Sequence, residues 1–306
     1  MPILTDILMD AEENCHSPLL CELKQVIMQE NINVFDLAVV TPGYGVEEFR
    51  PQWANPCNDG YSIAKVFTMT AVGMLIDAGK LRLDQKIYPL FTDCFPKDFD
   101  DKWRSVTVAD VLAHKIGIAA DPLDIDNNLV QAEEFLTILF SLPIPGTPGE
   151  TWNYSDTAYY LLSRLVKRVD GRNIDAVLRP MFTYMGIQEV AWSQDTQCHP
   201  IGATGLYMRA KDMVKLAVTY LQGGVYEGRR FFSEEWASTV LQQGYELKQM
   251  RPGIFAKRGM RGQMLLLCPA AQTAIAWHGW MLDESYRRLE KAVFERLTAV
   301  MAPDAK

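Results

Sequence analysis

Asp59–Ile76, with the sequence DGYSIAKVFTMTAVGMLI, is the stretch around which the chain is organised. From Ile63 to Ile76 it is apolar on nearly every face. This pattern predicts a helix buried inside the protein rather than an amphipathic surface helix. Its single charge is Lys65. A lone ammonium in such a helix is costly unless it is paired and hydrogen-bonded or partly neutralised.

Ser62 stands three residues before Lys65, on the same face of the predicted helix. Asp59 and Gly60 suit a helix start, which places Ser62 at the positive end of the helix dipole. An adjacent desolvated lysine can activate a serine hydroxyl as a nucleophile. The simpler alternative is a capping serine followed by a lysine that extends to the surface.

The composition is that of a globular protein with no low-complexity tract. The 306 residues carry a formal net charge of −8, which argues against nucleic acid and against an anionic membrane surface as partners. No apolar run is long enough to span a bilayer. Residues 1–6 lack the basic region and apolar core of a secretory signal, so we expect a cytoplasmic protein.

The cysteines and histidines show no metal-binding spacing. Six cysteines are scattered without a CxxC pattern, and four histidines form no HxxxH pattern. This predicts reduced thiols rather than a disulfide framework or a zinc site. We therefore expect no metal.

Strand patterns occur at both ends of the chain and helical patterns between them. Short β-rich or alternating runs predict strands at Val34–Val40, Val46–Phe49, Gly253–Ala256, Gln263–Cys268 and Thr273–Trp277. Helical periodicity predicts helices at Thr107–His114, Gln131–Phe140, Tyr159–Val169, Ala210–Gln222 and Glu284–Val300. Gly79 is the predicted C-terminal cap of the buried helix.

The economical architecture is an α+β fold with one antiparallel sheet built from the two chain ends and covered by helices. We predict a discontinuous sheet domain of residues 1–66 and 200–306, with residues 67–199 inserted as an all-helical lobe. A cleft between two such lobes would lie at the start of the Ser62 helix, and clefts at domain junctions are favoured ligand sites.

Two further clusters fit that cleft. Trp152–Asp156 reads WNYSD and follows a Pro/Gly-rich connector, and Lys257–Gln263 reads KRGMRGQ where an outer strand meets a turn. Each has a simple structural explanation on its own. Tyr154 could be a half-buried aromatic, and the basic pair that opens the second cluster could be a solvated sheet edge.

Together the three clusters resemble the penicillin-recognising serine hydrolases, specifically the class C β-lactamase-like branch with its esterases and D-amino-acid peptidases. Ser62–Lys65 matches the family's Ser-x-x-Lys, and Tyr154–Asp156 lies where that branch has Tyr-x-Asn. Lys257–Gly259 lies where it has Lys-Thr-Gly or His-x-Gly. Leu112–Ile118 resembles its Leu-x-His-x-Ser-Gly-Ile, and Gly202–Leu206 resembles its Gly-Gly-Leu. The resemblance runs from about Val34 to Trp277, in family order.

The resemblance implies roles for these residues in hydrolysis through an acyl-enzyme. Ser62 is the implied nucleophile, and Lys65 and Tyr154 share the general-base work. Lys257 is the second cation that stabilises a Tyr154 phenolate. No metal or organic cofactor is implied, and the expected partner is a small-molecule or short-peptide substrate.

The substrate side of the implied site is formed by the strand that carries Lys257. The family pattern gives the oxyanion donors as the backbone N–H groups of Ser62 and Met260. Gly259 lets the strand approach the substrate, because a Cβ there would intrude.

The sequence departs from the family pattern at two positions that we assign to substrate binding. Asp156 replaces an Asn whose amide would donate to a substrate carbonyl, and a carboxylate only accepts. Arg258 replaces a small hydroxyl residue on the substrate strand. These departures and the absent export signal predict weak β-lactamase activity. The alternative for Asp156 is that it caps the helix beginning near Thr157.

Two rival interpretations remain open. Residues 60–64, GYSIA, are close to the Gly-x-Ser-x-Gly elbow of α/β-hydrolases, with His278 as a possible late histidine. That fold needs several parallel strands before the serine, and only a short hairpin fits there. The other rival is a binding or sensor protein that keeps the fold without turnover, for which Asp156 is the best support.

Overall fold

The structure is a computed structural model that describes residues 17–119, 121–123 and 135–302. Its regular elements, in chain order, are α1 (Pro18–Gln29), β1 (Val34–Val40), β2 (Glu47–Phe49), β3 (Asn58–Asp59), α2 (Ala64–Asp77), α3 (Val108–Leu112), α4 (Phe135–Ser141), α5 (Asp156–Asp170), α6 (Ile174–Tyr184), β4 (Ala191–Trp192), β5 (Leu206–Met208), α7 (Ala210–Leu221), β6 (Val225–Tyr226), β7 (Arg229–Arg230), α8 (Glu234–Gln243), β8 (Lys248–Arg251), β9 (Ile254–Arg258), β10 (Met264–Cys268), β11 (Thr273–Gly279) and α9 (Ser285–Met301).

A six-stranded antiparallel sheet joins the two ends of the chain. Its strand order is β2-β1-β11-β10-β9-β8, so an N-terminal hairpin pairs with four C-terminal strands through β1 and β11. Helices α2 to α8 lie in the sequence between these two groups of strands. The predicted α+β class, an antiparallel sheet with helices, is confirmed.

The two faces of this sheet pack against different layers. In β10, Met264, Leu266 and Cys268 share a core with the terminal helices α1 and α9. Leu265 and Leu267 point the other way, into the core that contains α2 and the middle helices. Helix α7 packs on β1, β10 and β11. The period of two along each strand therefore separates a terminal-helix face from a site face.

Helix α2 is buried almost throughout, as its composition predicts. A Cβ at Gly73 would come within 2.1 Å of Nε1 of Trp236, so α8 approaches the α2 backbone at this residue. The helix ends as predicted at Gly79, which takes the left-handed φ of +68°, and the N–H of Lys80 donates to the carbonyl of Leu75 at 2.9 Å.

Several predicted elements are confirmed, and others were missed. The five predicted strands are present, β1 with the predicted bounds and the other four with shifted ends, and α3, α5, α7 and α9 match predicted helices. Helices α6 and α8 were not predicted. Pro180 interrupts the pattern of the first, whereas the second carries a helix-start signal that was overlooked, Ser233 followed by two glutamates. The predicted helix Gln131–Phe140 overlaps α4, and its first four residues lie outside the described residues. The division into two domains remains a prediction.

The thiol prediction is wrong in one respect. Cys57, Cys94, Cys198 and Cys268 are free, whereas Cys21 is disulfide-bonded. Within the described ranges no group of three or more His, Cys, Asp or Glu side chains is placed to hold a metal ion. None of the helices in those ranges combines the length and apolar character that crossing a membrane requires.

Candidate active site

A short turn places Ser62 at the start of α2. Tyr61–Ile63 forms one turn of 3-10 helix that leads into α2. The N–H of Gly60 donates to the carbonyl of Leu206 in β5 at 2.9 Å, and the N–H of Tyr61 donates to Oδ1 of Asp59 at 2.7 Å. Tyr61 adopts a left-handed φ of +47°, which is uncommon for a residue with a side chain and marks this turn as a constrained segment.

Three of the predicted catalytic side chains meet at the Ser62 oxygen. Nζ of Lys65 lies 3.2 Å from Oγ of Ser62, and the Tyr154 hydroxyl lies 2.9 Å from the same atom. The Ser62 oxygen is therefore within hydrogen-bond reach of two groups that carry protons. The structure brings the helix pair and the loop tyrosine together, as the sequence predicts.

Lys65 is fully buried and has three hydrogen-bond acceptors. Besides Ser62 they are Oδ1 of Asp156 at 2.6 Å and the carbonyl of Ala203 at 2.9 Å. The alternative in which Lys65 extends to the surface is therefore wrong. Burial alone would lower the pKa of Lys65, but the nearby Tyr154, Asp156 and Glu246 outweigh it and raise that pKa. The lysine is held as an ammonium.

Asp156 is the first residue of α5 but not its cap. Oγ of Ser155 caps the helix by accepting from the N–H of Ala158 at 3.1 Å, so the capping alternative for Asp156 is wrong. The Asp156 carboxylate instead pairs with Lys65, and its side chain is 22% exposed. Burial raises the pKa of Asp156 in spite of the Lys65 ammonium beside it.

Lys257 approaches the same tyrosine from β9. Its Nζ donates to the Tyr154 hydroxyl at 3.1 Å. Lys257 also forms an ion pair with Glu246, a residue that the sequence analysis did not single out. Burial opposes ionisation of Glu246, but Lys257, His114 and Lys65 outweigh it and hold the pKa of this carboxyl well below its usual range.

The three remaining residues of the Lys257 strand have different positions. A Cβ at Gly259 would lie 2.5 Å from the carbonyl oxygen of Gly60, so this glycine lets β9 approach the Ser62 turn itself. Met260 is 42% exposed and lines the pocket at Ser62. Arg258 lies on the terminal-helix face, where it forms two hydrogen bonds with Glu290, and so its position does not support substrate binding.

His278 does not belong to this cluster. It lies buried in β11, opposite Asp36 of β1, and within the described part of the chain no hydrogen bond joins it to Ser62. Burial lowers the pKa of His278 to about 4. The histidine of the α/β-hydrolase interpretation is therefore missing from the Ser62 cluster, and residues 17–61 form no parallel strand pair before the serine.

The Ser62 oxygen opens into a small pocket of about 150 Å³. Its lining combines two carboxylates, hydroxyl groups and one thioether: Asp59, Tyr61, Ser62, Asp156, Ser193, Thr204, Gly205, Tyr207 and Met260. Larger cavities of about 450 and 900 Å³ lie along the terminal helices, lined by mixed apolar and charged side chains without the Ser62 cluster. Size does not identify the site here; the convergent polar groups do.

Comparisons with known proteins find a matching family model and several relatives of this chain. The beta-lactamase family model matches residues 59–279. Penicillin-binding protein 4 of Amycolatopsis lactamdurans is 30% identical over 212 residues, which cover 60% of this chain and 55% of that protein. Unguisins hydrolase of Aspergillus violaceofuscus is 26% identical over 187 residues, covering 57% of this chain and 30% of the hydrolase. The matches thus span about half or less of these relatives.

A solved structure shows the same fold at low sequence identity. The penicillin-binding protein homologue from Caulobacter crescentus superimposes with a TM-score of 0.71 at 15% identity, over 91% of this chain and 98% of that one. The family match covers most of the chain, including Ser62, Lys65, Tyr154 and Lys257. The chain therefore belongs to the beta-lactamase family of serine hydrolases.

Proposed function

We propose that this protein hydrolyses a small ester, amide or D-amino-acid peptide through an acyl-enzyme on Ser62. One observation carries the proposal. The Ser62 oxygen is 3.2 Å from the Lys65 ammonium and 2.9 Å from the Tyr154 hydroxyl, which accepts from Lys257 on its other side. A nucleophile with a proton acceptor and flanking cations is the arrangement that acyl transfer needs.

In the proposed reaction Tyr154 moves the proton and the lysines supply charge. Oγ of Ser62 attacks the substrate carbonyl carbon while its proton passes to the Tyr154 oxygen. Lys65 and Lys257 stabilise the negative charge that this oxygen carries as the base. Because Lys65 is held as an ammonium, its role is electrostatic rather than that of the base itself. This differs from the shared base work that the family resemblance implies.

The remaining steps follow from the same groups. The backbone N–H groups of Ser62 and Met260 are the proposed donors to the oxyanion of the tetrahedral intermediate. When the intermediate collapses, the bond to the leaving group breaks and Tyr154 returns its proton to that group. Water then attacks the Ser62 ester and releases the acid. In that step the proton of the water passes to the Tyr154 oxygen and then to Oγ of Ser62, so each half of the reaction begins and ends with Tyr154 as the phenolate.

The pocket lining supports a small substrate. A pocket of about 150 Å³ is smaller than the ~300–1,000 Å³ that hold drug-sized ligands. Asp156 presents carboxylate oxygens where the family pattern has an amide, so it disfavours substrates that offer a carbonyl oxygen there. We therefore propose that penicillins and cephalosporins are poor substrates, whereas small esters and amino-acid derivatives are better ones.

A fluorophosphonate probe tests the proposal. We expect labelling of the wild-type protein to be lost in Ser62→Ala and in Lys65→Ala. Labelling that survives Lys65→Ala would contradict the Ser/Lys mechanism, and no labelling of the wild type would favour a binding or sensor protein. A panel of p-nitrophenyl esters, D-amino-acid amides and nitrocefin then defines the substrate class.

Tyr154→Phe tests the proton carrier separately. Because such units act together, we expect loss of the hydroxyl to lower kcat on a p-nitrophenyl ester by about 10³-fold or more. Tyr184→Phe is a matched control, because Tyr184 is 40% exposed against 37% for Tyr154 and its hydroxyl donates to the carbonyl of Glu227, outside the Ser62 cluster. Near wild-type kcat in Tyr154→Phe would exclude the proposed mechanism.

A further inference from the structure

We propose that Glu246 and His114 are positioning residues for the Ser62 reaction, holding Lys257 and the Tyr154 loop in their working geometry. The inference rests on the proposed hydrolase function and adds two residues to it. Neither residue touches Ser62 in a described contact, and neither was assigned a role from the sequence. Both act through the side chains that they hold.

Glu246 uses both carboxylate oxygens on groups of the site. Oε1 lies 2.7 Å from Nε2 of His114, and Oε2 forms the ion pair with Lys257. The Glu246 side chain is 1% exposed and that of Lys257 is 9% exposed. A buried carboxylate with two charged or polar partners fixes both of them, because releasing either would leave a desolvated carboxylate oxygen without its partner.

His114 holds the residues on both sides of Tyr154. Its carbonyl accepts from the N–H of Asn153 at 2.9 Å, and its Nδ1 accepts from the N–H of Ser155 at 3.2 Å. The imidazole also packs against the Tyr154 ring, with centroids 4.6 Å apart and planes tilted by 37°. One histidine therefore fixes the backbone before the tyrosine, the backbone after it and the ring itself.

The hydrogen bonds of His114 also determine its tautomer. Because Nδ1 accepts from Ser155, the ring proton is on Nε2, which donates to Glu246. Burial lowers the pKa of His114, and this outweighs the nearby Glu246 carboxylate. The pair is therefore a neutral imidazole and a carboxylate, which leaves Glu246 as the counter-charge for Lys257.

The same strand provides a matched control. Arg258, the next residue of β9, pairs with Glu290 on the terminal-helix face, and the Glu290 side chain is 6% exposed. Glu246→Gln and Glu290→Gln each remove one buried carboxylate charge from a cation of β9. Only the first cation contacts Tyr154. A merely structural role for Glu246 predicts similar behaviour of the two variants.

The experiment compares the two variants by thermal unfolding, by kcat and KM on a p-nitrophenyl ester, and by the pH profile of kcat/KM. We expect Glu246→Gln to lower kcat about 10- to 100-fold with KM nearly unchanged, because positioned groups act mainly in the transition state. Removing a negative charge also favours loss of a proton from the site, so the acidic limb should move to lower pH. Glu290→Gln should change the melting temperature only.

If Glu246→Gln does not fold, a second variant, His114→Asn, tests the same inference. His114→Asn suits the left-handed φ of +58° at this position and keeps an acceptor for Ser155, but it breaks the link to Glu246. It removes no charge, so kcat should fall about 10-fold while the acidic limb stays in place. Wild-type kcat in either folded variant would overturn the inference.

Labelling of Ser62 separates this inference from the proposed function. A wild-type protein that the fluorophosphonate probe does not label overturns both. A labelled wild type, with Glu246→Gln and Glu290→Gln matching each other in kcat and in the acidic limb, overturns the positioning role alone. A labelled wild type with a slow, shifted Glu246→Gln and an unchanged Glu290→Gln supports it.

Discussion

Strand β9 carries two neighbouring cations that face opposite sides of the sheet. Lys257 points to the site face and pairs with Glu246, whereas Arg258 points to the terminal helices and pairs with Glu290. The two cations are adjacent in the same strand, and each pairs with a buried glutamate. The side chain of Lys257 is 9% exposed and that of Arg258 is 46% exposed.

The difference between the two pairs lies in the third contact. Arg258 forms a two-bond pair with Glu290, so both carboxylate oxygens serve one partner. Glu246 divides its oxygens between Lys257 and His114, and Lys257 reaches on to the Tyr154 hydroxyl. Within the residues that the structure describes, the Arg258–Glu290 pair has no further polar partner and can only stabilise the fold. The Lys257–Glu246 pair also contacts the Tyr154 hydroxyl, so it can influence the reaction at Ser62.

The largest expected effect comes from removing the site-face cation. Lys257→Met keeps the length of the side chain and removes the ammonium at Tyr154, so we expect kcat on a p-nitrophenyl ester to fall about 10²-fold or more. Lys248→Met is the matched control, because this β8 lysine lies over the exposed Trp152 ring at 4.8 Å. Equal kcat in both variants would show that the Lys257 ammonium has no effect on the reaction at Tyr154.

The contact between Ser62 and Lys65 could be predicted because both residues lie at the start of the same helix. Ser62 and Lys65 are one turn apart in an apolar helix, and this spacing indicates both their contact and the burial of the lysine. Tyr154 and Lys257 come from a loop and a strand far away in the chain. Their meeting at Ser62 was predicted through family motifs and their order, since no local periodicity reports such a contact.

The role of Glu246 could not be predicted from the sequence, whereas the position of Arg258 could have been. Glu246 is 132 residues from His114, in a short segment between α8 and β8, and no pattern there indicates a buried carboxylate. Arg258 was assigned to the substrate side together with Lys257. The alternation of side chains along a strand places neighbouring residues on opposite faces, so that rule alone would have separated them.

Asp36 is a buried carboxyl that, unlike Glu246 and Glu290, has no cation in contact among the described residues. Asp36 in β1 is fully buried on the site face, and among the described residues no Lys or Arg nitrogen pairs with it. Burial, with a contribution from Glu48, raises its pKa to about 7, although the N–H of Ala210 donates to Oδ2 at 3.0 Å. Folding therefore favours the protonated acid.

Asp36→Asn should stabilise the protein increasingly as pH rises. A folded pKa of about 7 against the ordinary 3.8 means that the wild type loses stability as pH rises from about 4 to about 7. The amide is neutral throughout and can still accept from Ala210. We expect the free energy of unfolding of the variant to exceed that of the wild type by about 2–4 kcal/mol above pH 7, with little difference below pH 4.

Denaturant unfolding at several pH values measures this difference. Taking the difference between variant and wild type removes the titration of groups that are distant from Asp36 and common to both proteins. Asp101→Asn is the control, because its side chain is 88% exposed. A constant difference across the pH range would show that Asp36 is already ionised in the folded protein near pH 4.

Asp156→Asn tests the carboxylate that pairs with Lys65 in the Ser62 pocket. The amide oxygen can still accept from Lys65, and the amide N–H restores the donor that the family pattern provides. One good hydrogen bond is worth roughly 1–1.5 kcal/mol, so acylation by nitrocefin should rise about tenfold. The rate with a small p-nitrophenyl ester serves as the reference. A substrate profile identical to that of the wild type would show that Asp156 does not set specificity.

The smallest effect is expected on the terminal-helix face. Arg258→Gln removes the cation from an ion pair that is half-exposed at the arginine and buried at Glu290. Exposed pairs contribute only about 0.2–1 kcal/mol, and salt screens them, so the melting temperature should fall by a few degrees at low salt and by less at high salt. The kcat and the pH profile should equal those of the wild type. A loss of kcat comparable with that of Lys257→Met would mean that the terminal-helix face is coupled to Tyr154, and the two neighbours in β9 would then belong to one functional unit.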